Sequence, residues 1–130
     1  MLYNYIITSI ITLIIDGLWL FISGKHYLEM YQKMFKTSIT LIDWNATILA
    51  YLLLALGTTY FIVNPALNEH QKPEVYIPKA GLLGLIVYGV YNMTNKATLK
   101  GWQWGMSLVD TIWGIVGTIL ISSISIILLS

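Results

Sequence analysis

No cysteine and no arginine occur among the 130 residues of this chain. Without cysteine there is no disulfide framework, no iron–sulfur site and no thiol nucleophile. Without arginine there is no bidentate clamp for carboxylate or phosphate; every basic side chain is a lysine, a point charge. Charge of either sign is scarce, at 10% of residues, against about a quarter in a soluble domain. That is too little to solvate a globular surface. A net charge of +1 supplies no basic stripe for phosphates, so nucleic acid is excluded as a partner. Phosphate loops, Gly-x-Ser-x-Gly elbows and His-Glu-x-x-His helices are missing as well. The N-terminus lacks a basic n-region and a small-residue cleavage site, so the first apolar run is expected to be retained.

What the chain does have is hydrophobicity, 57% of residues, gathered into four runs. Each approaches the roughly 20 residues needed to cross ~30 Å of hydrocarbon. The runs cover about 3–23, 43–63, 78–96 and 104–129. None alternates like a barrel strand, so they read as helices. The expected fold is an all-α integral membrane protein: a single domain over 1–130, a four-transmembrane-helix bundle, with a short interfacial helix in the first loop. Tyr3, Tyr5, Trp44, Tyr60, Tyr76, Trp102 and Trp104 stand where interfacial anchors belong. Pro78 fits the first turn of span three. Asn64 to Pro73 reads as a turn-rich loop, and Asp43 as the N-cap of span two.

Lysine placement orients the bundle. Lys25, Lys33 and Lys36 fall in loop one, Lys96 and Lys100 in loop three, and Lys72 and Lys79 at loop two. Five against two predicts loops one and three in the cytoplasm and both termini outside, in a plasma or inner membrane. In loop one, Tyr27, Leu28, Tyr31, Met34 and Phe35 share a helical face, with Glu29 and Lys33 paired at i,i+4. This pattern predicts the interfacial helix.

Two acids interrupt the spans. Asp16 lies in span one and Asp110 in span four, where a carboxylate is costly and faces a bundle interior or a wet cavity. Each has a tryptophan three residues on, Trp19 and Trp113, on its own helix face. Ser9, Thr12, Asp16, Trp19 and Ser23 form a stripe on span one. Gly81, Gly84, Tyr88, Tyr91 and Asn95 form one on span three, and Ser107, Asp110, Gly114 and Gly117 one on span four. Small residues let membrane helices approach closely, and polar ones bond across the seam. Asn92, Asn95 and Lys96 end span three at the depth of both acids, which marks an acidic polar pocket near the cytoplasmic face, with Lys96 the expected counter-ion. The ligand-binding or proton-relay candidates are therefore Asp16, Trp19, Asn92, Asn95, Lys96, Asp110 and Trp113. His26 and His70 fall on different loops, so no metal site is expected, and no cofactor.

The run Tyr91-Asn92-Met93-Thr94-Asn95-Lys96-Ala97-Thr98-Leu99, followed by Trp102 and by Asp110-x-x-Trp113-Gly114, resembles a family of small predicted membrane proteins, the domain of unknown function family DUF2177. Asp16-x-x-Trp19 and Asn64-Pro65-Ala66-Leu67 are similar to that family too. The resemblance implies four spans and no established activity. It also marks a departure, since the family usually has Asp where this chain has Asn92. From the residues, the leading expectation is binding or transport of a small polar or cationic solute or of protons, by a homodimer in the lipid bilayer. The alternatives are a non-catalytic assembly or stability partner in the membrane, and a lipid-modifying membrane enzyme using Asp16 or Asp110 as general acid or base.

Overall fold

The computed structural model describes residues 1–35 and 43–130 and is all-helical over them. Helix α1 runs Leu2–Phe35 and α2 runs Trp44–Thr58. A π turn, Thr59–Val63, joins α2 directly to α3, Asn64–Asn68. Helices α4, Pro73–Thr98, and α5, Trp104–Leu129, complete the chain. Three helical stretches are long and apolar enough to cross a membrane: Leu2–Phe35, Trp44–Asn68 and Trp104–Leu129. Helix α4 has 26 residues, ample length at about 1.5 Å per residue, but Glu74, Lys79, Asn92, Asn95 and Lys96 dilute its hydropathy.

The distribution of side chains is inverted relative to a soluble protein. Among the described residues the buried set includes Thr8, Ser9, Thr12, Asp16, Asn92, Ser107, Asp110, Ser122 and Ser125. Large apolar side chains such as Phe21, Ile22, Leu53, Leu82, Ile112 and Ile127 face outward, Phe21 at 89% exposure. Polar-in and apolar-out is stable only where the surroundings are hydrocarbon, because water would not tolerate so large an apolar surface. A small apolar core of Ile62, Val63, Ala66, Tyr76, Ala80 and Ile126 ties the π turn and α3 to the chain-terminal ends of α4 and α5.

Helices α4 and α5 are antiparallel and unusually close. A Cβ on Gly84 would collide with the Gly114 carbonyl, and one on Gly114 with the Tyr88 ring. The glycines are thus the surfaces through which the two backbones meet. Asp43 caps α2 as expected, its Oδ1 accepting from the Ala46 N–H at 3.1 Å.

Several expected boundaries are corrected. The short interfacial helix is not a separate element: α1 continues without a break through Tyr27, Tyr31 and Phe35. No proline interrupts it, and Gly24 weakens a helix without stopping it. Lys36, the last lysine of loop one, lies outside the described residues. The expected loop from Asn64 to Pro73 is mostly helix, leaving a tight turn around Glu69 and His70, the latter at φ 49°. Pro65 is the second residue after the π turn, whose wider spacing makes room for a ring that a regular α turn would meet at its i−4 carbonyl. The N-terminal proline of α4 is Pro73; Pro78 is inside the helix, where the carbonyl it leaves free belongs to exposed Glu74.

Candidate functional site

Asp110, 8% exposed, is held from two helices. Tyr27 on α1 donates its hydroxyl to Oδ1 at 2.6 Å. Asn92 on α4 donates Nδ2 to Oδ2 at 2.6 Å and shares it with the Tyr88 carbonyl at 2.8 Å. Asp16, 2% exposed, is held by one bond: the Trp113 indole on α5 donates to its Oδ1 at 3.1 Å. Its Oδ2 is buried and has no partner, as are the Asn92 Oδ1 and the Trp19 Nε1. Among the described residues, every hydrogen-bond partner of the two acids is neutral.

The paired motifs now have a geometry. Trp19 and Trp113 stack face to face, centroids 4.6 Å apart and 3° from parallel. Gly117, one turn beyond Trp113, makes room for that indole, since a Cβ there would lie 3.0 Å from its Cε2. The stacked pair lines a groove of about 200 Å³ with Val109, Ile112 and Val116, on the apolar outer face. Asp16 adjoins the pair through its bond to the Trp113 indole, and Asp110 lies one turn before Trp113 on α5.

Lys96 is not the counter-ion that charge balance predicts. Its ammonium lies 5.5 Å from the centroid of the Trp104 ring and pairs with neither acid among the described residues. It stands one turn beyond Asn92, and its long stem carries the charge outward rather than into the seam. Asn95 contributes its backbone carbonyl, which accepts from Leu99 N–H and closes α4. Neither belongs to the cluster that gathers Asp16, Trp19, Asn92, Asp110 and Trp113.

Tyrosines complete the site. Tyr27 is a direct ligand of Asp110, and the Tyr88 carbonyl shares the Asn92 amide with that acid. The sequence pattern alone puts Tyr27 on the face of an interfacial helix. The signal for it is its spacing: eleven residues after Asp16, three turns on the same face of one continuous helix. Below Tyr27 the α1 extension covers the α4–α5 connection. Trp102, 2% exposed, packs edge-on against Tyr31 and Tyr91 at 5.7 and 5.9 Å, whose hydroxyls are 3.3 Å apart. Gly101, at φ 95°, adopts a conformation open to glycine, and a Cβ there would meet the Met34 side chain at 3.0 Å.

Fold and site together define an all-helical membrane protein with a polar, acid-bearing interior. The chain belongs to the family described as "Predicted membrane protein (DUF2177)", whose model matches residues 1–127. No curated protein and no solved structure matches it.

Proposed function

We propose that this protein is a four-span membrane protein that binds and moves a proton or small cation, with Asp16 as the acid that carries it. Helix α4 is the fourth span, loops one and three face the cytoplasm of a plasma or inner membrane, and a second copy completes the assembly. One observation carries the reading: two buried carboxylates whose partners among the described residues are all neutral. Uncompensated charge in a low-dielectric interior is strongly unfavourable, so such a pair needs a cation, and a proton is the smallest. The two acids differ in role. Asp110 has both oxygens occupied and acts as the anchor that fixes the helix register. Asp16 keeps one oxygen free and is the exchangeable site.

The saturation of Asp110 also favours the assembly-partner reading for that residue alone, in which its bonds serve only to hold the helices. The test is infrared difference spectroscopy of the purified protein in lipid nanodiscs, titrated with acid and with sodium, potassium and tetramethylammonium ions. A carboxyl band that changes in the parent and vanishes in Asp16→Asn is expected. The Trp113 fluorescence, whose indole reports on Asp16 directly, should respond in parallel. A response that persists whole in Asp16→Asn, or a parent with no response to any of these cations, overturns the proposal.

A further inference from the structure

Asp16 is the end of a longer polar series. Four other buried hydroxyl-bearing side chains lie toward the chain termini without hydrogen-bond partners among the described residues: Thr8, Ser9, Ser122 and Ser125. Thr8, Ser122 and Ser125 are 0% exposed and Ser9 is 7%. Neighbouring hydroxyls behave differently: Thr12 donates to the Thr8 carbonyl and Thr118 to the Gly114 carbonyl, each at 2.7 Å. The unpaired four are therefore not simply turned back onto their own helices.

Their depths match. Asp16 bonds to Trp113 and Tyr27 to Asp110, so α1 and α5 run antiparallel. At about 1.5 Å per residue, Thr8 is roughly 12 Å from Asp16 and Ser122 roughly 13 Å from Trp113 in the same direction. Asn4 and Ser125 are both roughly 18 Å along. At that level the Asn4 amide donates to the Asn64 side chain at 2.8 Å. Asn64 in turn lines an open vestibule of about 400 Å³ with Met1, Tyr60, Pro65, Asn68 and Glu69. In the other direction Tyr27 and Asn92 both bond to Asp110, with buried Trp102 beyond them; the Asn92 Oδ1 and the Trp102 Nε1 have no partner among the described residues either. An unpaired hydroxyl in hydrocarbon is unfavourable, and buried water with two to four polar partners is the usual remedy.

We propose that this series is a file of water molecules that connects the vestibule at the chain termini with Asp16 and gives it access from that face only. It rests on the reading of Asp16 as the exchangeable acid, and it names the side from which that acid is reached. The natural absence of cysteine makes the test direct. Single cysteines at Ser122 and Ser125, nearly the size of serine, are compared with cysteines at outward-facing Leu120 and Ile127. Silver ion, small, monovalent and thiol-reactive, is applied to proteoliposomes on one side at a time. Free thiol is then counted after unfolding.

Loss of free thiol at 122 and 125, from the terminal side alone, with 120 and 127 preserved, is expected. If neither seam cysteine reacts in folded protein with the parent's melting temperature, the seam is dry and the proposal fails. It fails equally if reaction comes only from the opposite side, or if 120 and 127 react as fast. Should the α5 variants not fold, Thr8→Cys reads the same seam from α1. Repeating the reaction in an Asp16→Asn background separates the two ideas. Silver access that survives there supports the file even where the infrared response has disproved a role for Asp16.

Discussion

A carboxyl at position 92 would have to carry a proton to do what the Asn92 amide does for Asp110. The amide donates at any pH, to Oδ2 of Asp110 and to the Tyr88 carbonyl at once. Two ionised carboxylates at that distance repel. Asn92→Asp is therefore expected to lower the melting temperature at neutral pH. The loss should shrink as the pH falls, because a protonated carboxyl can donate. Tyr27→Phe removes the other donor and is expected to cost about 1.5–3 kcal/mol, the usual worth of a hydrogen bond to a charged group. Thermal unfolding in detergent across a pH series checks both; a pH-independent loss in Asn92→Asp would disprove the bonding described here. At this scale the sequence was legible where chemistry is rare. Asp16 and Asp110 stand out because charge inside a span is rare, and their tryptophans follow from spacing. Tyr27 did not stand out, because a tyrosine suits an interfacial face equally well. Lys96 turns to Trp104 instead, since charge balance says that a cation is needed and nothing about which way a flexible stem turns.

Between elements, the tightest junction is α4 on α5. Gly84→Ala puts a methyl group into the backbone carbonyl of Gly114, which cannot rotate away as a side chain could. Overpacking of this kind destabilises by about 1–3 kcal/mol or more, and here it also pushes Asn92 away from Asp110. Gly17 on α1 is the matched control. It is exposed, and nothing lies within 4 Å of its added Cβ. Gly17→Ala should be neutral or stabilising by up to about 1 kcal/mol, since alanine is the better helix former. Melting temperatures that fall equally for both variants would contradict the close approach. The stripe of Gly81, Gly84, Gly114 and Gly117 showed from sequence that helices would meet closely. It did not show which pair would, because a small-residue stripe names a surface and not its partner. Element ends were less legible for a related reason. Helix α5 begins at Trp104 as the sequence indicates, three residues after Gly101. Helix α1 outlasts its apolar run by about three turns, since polarity ends a span but does not end a helix.

For the molecule as a whole, the inverted interior was legible from composition alone, because so few charges and so many apolar residues leave no other arrangement. Its direction in the membrane rests on lysines, and it decides what the polar seam faces. Loop two and its edge carry Lys72 and Lys79, while Lys25, Lys33, Lys96 and Lys100 belong to loops one and three, and Lys36 follows in the sequence of loop one. Positive charge is retained on the cytoplasmic side, so the vestibule with Glu69, at the same end as both termini, should face outward. Single cysteines at Glu69 and Lys100, both exposed, report this in intact cells treated with a membrane-impermeant maleimide. Labelling at 69 before permeabilisation, and at 100 only after it, is expected. The reverse pattern would turn the molecule over. Asp16 would then exchange with the cytoplasm, and any coupling to an external supply of protons would have to pass the other side, through Tyr27, Asp110 and Asn92. Labelling of both sites in intact cells would leave loops two and three on one side and remove α4 as a span, and with it the four-span arrangement. The orientation result therefore fixes which compartment supplies the cation as well as which way the chain is threaded.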